Sequence, residues 1–260
     1  MSDWAVILGA SSGFGAATAI ELAKSGVHIA GVHLDRRATQ PLVKNVLEQI
    51  QATGVKVEFF NLNAAKAETR RKVVARLQEL LGDDGRVKIL LHSLAFGVLK
   101  PVIAPDPHVV LNQPDVELTL NVMAGSLVYW TQDLHSAGLL KQGSQIYALT
   151  SSGGHSQWPH YGAVSGAKAA LESFIRQLAV ELAPAGIAAN AIQAGVTDTP
   201  ALRKIPGSEA MIELALERNP HGRLTLPGDV AQVIAQLSRS ESSWLTGNVI
   251  RVDGGEDIVG

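Results

Sequence analysis

The chain has 260 residues, 46% of them hydrophobic and 18% charged, which is long enough to bury a full core and apolar enough to fill it, so disordered and fibrous classes are excluded. Twenty-two Lys and Arg against 24 Asp and Glu leave a net charge of −2 with no basic block, so a nucleic-acid or anionic-membrane partner has no electrostatic footprint. Cysteine is absent, which removes disulfides, thiolate catalysis and cysteine-type zinc sites.

In chain order, short runs rich in Val and Ile predict strands at Trp4–Leu8, Val27–Val32, Val55–Phe60, Val87–Leu91, Gln145–Thr150, Ile187–Ile192 and Asn248–Val252. Helical spacing between them predicts helices at about 14–25, 41–52, 67–81, 114–136, 158–182, 209–218 and 228–239, several ending at a glycine. Strands that are apolar throughout and alternate with helices are strands covered on both faces, so the sheet should be mostly parallel. The alternation runs without a linker or repeat, and one α/β domain over 1–260 is the expectation. Two Pro-containing interruptions, Phe96–Pro114 and Ala194–Pro220, each follow a predicted strand. In an open parallel sheet the ligand crevice lies beyond the carboxyl ends of the strands, so these should form its rim and lid, the second as a substrate-loop insertion at about 194–220. The amino-terminal apolar run is short and follows an acid, and no stretch reaches the ~18 apolar residues of a membrane span. The expectation is a cytoplasmic protein without a membrane partner.

The first strand runs into Gly9-Ala-Ser-Ser-Gly13-Phe-Gly15 and then a helical run. Glycines let backbone approach a pyrophosphate closely, and the helix start behind them offers free N–H groups and partial positive charge, so Gly9, Ser11, Ser12, Gly13, Phe14 and Gly15 are candidate dinucleotide contacts. Placement between the first strand and first helix of a βαβ unit separates this turn from a merely structural one.

The spacing Gly-x-x-x-Gly-x-Gly in this context resembles the short-chain dehydrogenase/reductase family. The resemblance covers nearly the whole chain: Leu91-His-Ser-Leu-Ala-Phe-Gly97, Asn121, Tyr161 with Lys168, Asn190-Ala-Ile-Gln-Ala-Gly195 followed by Thr197 and Thr199, Leu245-Thr-Gly247 and Val252-Asp-Gly-Gly255. It implies a doubly wound Rossmann fold with seven strands and a nicotinamide cofactor. An acid ending the second strand would bind adenosine-ribose hydroxyls and repel a 2′-phosphate, whereas an arginine would attract one. Asp35, Arg36 and Arg37 supply both signals, while the family's usual acid falls near His33; a solvated charge cluster is the plain alternative. The balance tips to NADPH through Arg36 or Arg37, with NADH as the other choice. The resemblance further places Asn63, Ala64, Ser93, Leu94 and Ala95 along the adenosine side, and Gly195, Val196, Thr197 and Thr199 near the nicotinamide amide.

Tyr161 and Lys168 are seven residues apart in a predicted helix, nearly two turns, so both should share a face. They follow a strand ending in Thr150-Ser151-Ser152, which puts them at the carboxyl edge of the sheet. An ammonium near a phenol lowers its pKa from about 10, as a proton donor near neutrality requires. The usual family pattern is Tyr-x-x-x-Lys, but Val164 holds the position four before Lys168; Ser151, 17 before Lys168, matches the family serine. Tyr-x6-Lys is similar to the enoyl-acyl-carrier-protein reductases of this family, and the serine points to their divergent subgroup. Gly97-Val-Leu-Lys-Pro101, Tyr161 through Glu172, Asp198 through Lys204 and His92-Ser-Leu-Ala-Phe96 extend that likeness. A shift of three residues along a helix is roughly 4.5 Å, on the scale of the displacement between a ketone oxygen and the thioester oxygen of a 2-enoyl substrate.

The resemblance implies these roles: Tyr161 on the developing enolate oxygen, Lys168 on nicotinamide-ribose hydroxyls, Ser151 orienting substrate or cofactor, and Asn121 holding a water in a relay to Lys168 or bridging helix backbone. Phe96, Gly97, Trp158, Tyr161 and Leu202 would line the acyl site. His155, His160 and His221 lack metal-ligand spacing, and no metal is expected. The function so read is NAD(P)H-dependent reduction of a trans-2-enoyl thioester, carried on acyl carrier protein, in fatty acid synthesis. The alternatives are a carbonyl or hydroxy-group oxidoreductase of the same family on a 3-ketoacyl, steroid or sugar substrate, and a non-catalytic nucleotide-sensing protein. Family resemblance also implies a homotetramer through helix faces around 114–136 and 158–182.

Overall fold

A computed structural model describes residues 2–259. Each predicted run forms a strand: β1 (Asp3–Leu8), β2 (His28–His33), β3 (Val57–Asn61), β4 (Arg86–His92), β5 (Gln145–Ser151), β6 (Ala188–Ala194) and β7 (Val249–Val252). They make one seven-stranded sheet in the order β3-β2-β1-β4-β5-β6-β7, with every neighbouring pair parallel. Successive residues of β1 enter opposite cores, which is why the strand reads as continuously apolar. Trp4, Val6 and Leu8 join a cluster with Leu77, Trp130 and Leu171, whereas Ala5 and Ile7 join one with Leu22, Ile50 and Ile234.

Helices α1 (Gly13–Lys24), α2 (Gln40–Gln51), α3 (Ala67–Leu81), α4 (Gln113–Leu120), α5 (Ser126–Ser136), α6 (Gly162–Leu182), α7 (Ser208–Arg218) and α8 (Pro227–Leu237) occupy the predicted places, with two corrections. The expected helix over 114–136 is interrupted by a π-helical turn at Asn121–Gly125 that joins α4 to α5. The expected helix over 158–182 starts only at Gly162, because His160 takes φ +66° and turns the chain before it. Tyr161 is therefore the N-cap of α6 and stands outside the helix, so neither the shared helix face nor the 1.5 Å rise per residue applies to it.

Strand order reverses direction of growth between β1 and β4, and beyond the carboxyl ends of these strands is where an open parallel sheet places a ligand crevice. Ser93 N–H donates to the Leu8 carbonyl at 2.9 Å, and Gly9 N–H to Val32 at 2.8 Å, which ties the segment after β4 and the glycine-rich turn to opposite sides of β1.

Candidate active site

The glycine-rich turn leaves β1 through Gly9 at φ +90°, where a Cβ would collide with the Ser93 carbonyl. Only glycine fits both the dihedral and the approach. Helix α1 then begins with Ser12 as N-cap; the Ser12 side chain makes no capping bond and no acid stands in the first turn. The first amides and the positive end of the helix thus stay available to an anion. Gly13 faces Thr199, whose Cγ2 would lie 3.6 Å from a Cβ at that position, so the turn and the loop after β6 form two walls of one cleft. Those features fit a dinucleotide pyrophosphate, and the structure brings Ser93 and Leu94 to Gly9 and Thr199 to Gly13 around this turn. Phe14 packs into the core beside α1.

After β2, Asp35 turns back toward Ser11 of the glycine-rich turn. Its carboxylate meets His33 Nδ1 at 2.8 Å, and its backbone N–H donates to Asn61 Oδ1 at 2.9 Å. Burial raises the Asp35 pKa, but hydrogen bonds from Ser11, Thr39 and His33 outweigh it and hold the group below the ordinary carboxylate value. His33 is buried against Phe59, and Arg36 and Arg37 are exposed. Asn63 caps its own turn by accepting Ala65 N–H at 2.9 Å, and the Ala64 carbonyl takes the Trp130 indole N–H at 2.8 Å. Ala95 is exposed on the cleft rim.

The candidate reactive groups gather at the carboxyl end of β5. Tyr161 lies against Gly153 and the Ser151 hydroxyl: a Cβ at Gly153 would stand 2.6 Å from Tyr161 Cε1 and 3.2 Å from Ser151 Oγ. Ser151 Oγ is buried and makes no hydrogen bond of good geometry, although it stands near enough to the phenol to draw its pKa down. Burial dominates and the Tyr161 pKa is raised, contrary to the expected depression by Lys168. The reason is where the lysine points. Lys168, 6% exposed, donates from Nζ to the Leu149 carbonyl at 2.6 Å. Burial lowers its pKa from 10.5 to about 8, against the pull of Glu172. Asn121 stands exposed at the start of the π-turn. Val164, four before the lysine, is buried among Val122, Met123 and Ala167, with Tyr161 packed against the same cluster.

Over this floor, Phe96 is 61% exposed, and the segment after it adds exposed Val102 and Ile103. Gly97 nestles against Val164, Thr119 and Met123. Trp158 reaches across the cleft and donates from its indole N–H to the Pro206 carbonyl at 3.2 Å, while Leu202 is buried below it. The loop after β6 is thus joined to the segment after β5. One placement differs: Val196 N–H does not face the cleft as a free donor but meets the Glu256 carboxylate at 3.1 and 3.2 Å. Thr197, also buried, donates to the Gly195 carbonyl at 3.1 Å.

Three contributors escaped the sequence reading. Glu172, one turn after Lys168, accepts from Thr150 Oγ1 at 2.6 Å; its i+4 spacing from the lysine was the available signal. His92 is fully buried with Nε2 at 2.9 Å from Ser126 Oγ and Nδ1 without a partner; burial, then the Lys168 charge, push its pKa to about 3, so the ring is neutral. Glu256 gave no local signal. Among the described residues no group of three or more His, Asp or Glu is arranged to hold a metal, and no helix is long and apolar enough to cross a membrane.

Comparison with known proteins agrees with this geometry. Residues 9–256 match the family model described as enoyl-(acyl carrier protein) reductase. The 1-cyclohexenylcarbonyl-CoA reductase of Streptomyces collinus is 29% identical over 256 residues, covering 98% of this chain and 86% of that protein. A 3-oxoacyl-[acyl-carrier-protein] reductase of Thermotoga maritima is 29% identical over 252 residues, covering 96% of each. Among solved structures, the NADH enoyl-[acyl-carrier-protein] reductase of Aquifex aeolicus superposes with a TM-score of 0.83 at 25% identity over 99% of this chain and 97% of its own.

Proposed function

The chain belongs to the short-chain dehydrogenase/reductase family and is a nicotinamide-dependent oxidoreductase, and from that premise we propose that it reduces the carbon–carbon double bond of a 2-enoyl thioester. The observation that carries the proposal is the exchange of Val164 for Tyr161. Of the three tyrosines, Tyr147 is tied to Gln145 inside the core and Tyr129 lies on α5, so Tyr161 alone can serve the lysine as a phenol. The position a ketone-reductase tyrosine would take is filled by the buried Val164. A phenol displaced from that position suits a negative charge that develops on the thioester oxygen, away from the carbon that receives hydride. The Streptomyces relative bears the name of a reductase acting on such an unsaturated thioester.

The reduced nicotinamide supplies the hydride when bound. Tyr161 donates a hydrogen bond, and then its proton, to the enolate oxygen, and the enol so formed becomes the saturated thioester by taking a proton from water at the α-carbon and giving up the one on oxygen; the raised pKa of Tyr161 keeps it protonated at neutral pH. Lys168 is seated on β5 to hold ribose hydroxyls, and Phe96, Val102 and Ile103 offer apolar surface to an acyl chain. The proposal extends to a fatty-acid-synthetic role on acyl carrier protein, which the description of the matching family model supports. For the cofactor, an ionised Asp35 turned onto Ser11 opposes a 2′-phosphate, which moves the preference from NADPH to NADH. The exposed Tyr129, Phe174 and Val180 on α5 and α6 support self-association as a homotetramer, which a monomer on gel filtration would rule out.

The test is loss of 340 nm absorbance with crotonyl and acetoacetyl thioesters, each with NADH and NADPH, for wild type and Tyr161→Phe. Turnover of crotonyl thioester alone, lost in the Phe variant, is expected. Turnover of the keto substrate alone overturns the enoyl reading in favour of carbonyl reduction. That second reading has its own support in Ser151, whose free hydroxyl beside Tyr161 is the pairing a ketone oxygen would use.

A further inference from the structure

The chain returns to the site after β7. Asp253 accepts N–H bonds from Gly255 at 2.9 Å and Asp257 at 3.2 Å, which closes the short helical turn Glu256–Ile258. Its carbonyl receives Asn219 Nδ2 at 2.9 Å, so the turn is fastened to the far end of the substrate loop. Asp257 is satisfied by Gln193 Nε2 at 2.9 Å, with His155 Nε2 and Arg251 Nε each at 3.2 Å. The turn therefore touches β6, the loop after β5 and the substrate loop at once.

Glu256 is the member whose placement needs a reason. It is 9% exposed, and its partners are amides, the Val196 N–H and the Asn219 side chain, with Asp253 and Asp257 as like-charged neighbours. A carboxylate buried without a cation is expensive, and an apolar residue would close the same space at lower cost. What it gains is specific: both oxygens lie on one main-chain donor, the Val196 amide, and Oε2 sits so close over Gly195 that a Cβ there would stand only 2.8 Å away. That loop faces Gly13 through Thr199.

We propose that Glu256 is a positioning residue for the cofactor: by taking the Val196 amide it fixes the Gly195–Thr199 loop as the wall against which the nicotinamide end is held. This rests on the family reading of that loop. The carboxylate acts through the loop, and its worth is the order it imposes before the cofactor arrives, which reduces the ordering cost at binding. An acceptor is what the function requires; the charge is not, so Glu256→Gln should serve and Glu256→Ala should not.

The experiment is titration of each protein with NADH and NADPH, read by nucleotide fluorescence, together with amide hydrogen exchange at Val196 in the cofactor-free protein. Glu256→Ala is expected to weaken binding about tenfold, the scale of one lost ordering hydrogen bond, and to release the Val196 amide to exchange. Glu256→Gln is expected to stay near wild type in both. Wild-type affinity in the Ala variant, equal weakening in Gln and Ala, or binding of neither nucleotide by wild type would overturn the proposal. Should the Ala variant fail to fold, exchange in wild type still decides, since a rapidly exchanging Val196 amide denies the bond. Neither readout contains substrate, so a wild type that binds nucleotide but leaves crotonyl thioester untouched defeats the enoyl reading alone.

Discussion

Gly153→Ala tests whether the Tyr161 phenol works from a fixed position. The residue lies in the short turn after β5 with backbone angles an alanine can adopt, so the substitution adds one methyl group and no dihedral strain. That methyl would stand 2.6 Å from Tyr161 Cε1 and 3.2 Å from Ser151 Oγ, while ordinary contact begins near 3.4 Å. The ring must retreat by the difference, about 0.8 Å, because β5 backs the turn and the core cluster of Val164 and Met123 backs the ring. A misplacement of about 1 Å in a catalytic group costs on the order of a hundredfold in rate, so kcat on crotonyl thioester should fall by about ten- to a hundredfold. The overpacking itself should cost about 1–3 kcal/mol of stability. Gly166→Ala is the control: it lies in α6 with open space around its Cβ, and should raise stability by about 0.5–1 kcal/mol with kcat unchanged. Steady-state kinetics and denaturant titration of the two variants give the comparison, with nucleotide affinity measured separately. If Gly153→Ala keeps wild-type kcat, Tyr161 is not held where the reaction needs it, and the displaced-phenol argument fails.

Lys168 sets a pH dependence whose sign can be worked out. Its folded pKa of about 8 lies below the 10.5 of the free side chain, so the unfolded chain binds the proton more tightly, and the charged form costs stability below pH 8 that disappears as pH rises to 10.5. The difference, 10.5 minus 8, is about 3 kcal/mol at about 1.36 kcal/mol per unit, of which about 1 kcal/mol is offset by the bond to Leu149. Cofactor-free Lys168→Met should therefore melt above wild type at pH 7 and lose that advantage by pH 10, while losing turnover; a gap that does not change between the two pH values would refute the assignment. Asp35→Asn removes the carboxylate over Ser11 while leaving Arg36 and Arg37 exposed, and should raise NADPH use relative to NADH by about tenfold in kcat/KM. An unchanged ratio would place the ribose elsewhere.

What could be read from the sequence was what depends on near neighbours or on burial from both sides. The central strands were legible because residues such as Val6 and Ile7 serve opposite cores and leave an unbroken apolar run, whereas the edge strands β3 and β7, which carry Glu58 and Arg251, were legible from their remaining Val, Ile and Phe. The glycine-rich turn was legible because its chemistry is contained within Gly9–Gly15. The start of α6 was not: apolar periodicity says nothing about a single positive φ at His160, and that one dihedral takes Tyr161 off the helix. Direction was equally hidden. Spacing placed Lys168 near Tyr161, yet the ammonium turns to a main-chain carbonyl, which has no signature in a string of residue types. Asp35 and the two arginines gave opposite cofactor signals in the sequence, and that the fold turns Asp35 inward while leaving the arginines in solvent has no mark in their spacing. Glu256 is the extreme case, since its partner lies 60 residues away and is a backbone amide. The exchange of Val164 and Tyr161 stands between these extremes. Its spacing is visible in the sequence, but its meaning depends on whether the older position is truly closed, and the packing of Val164 against Met123 and Ala167 is what closes it. A phenol restored there by Val164→Tyr would have to displace that cluster, so the core closes position 164 to a tyrosine, which supports the role proposed for Tyr161.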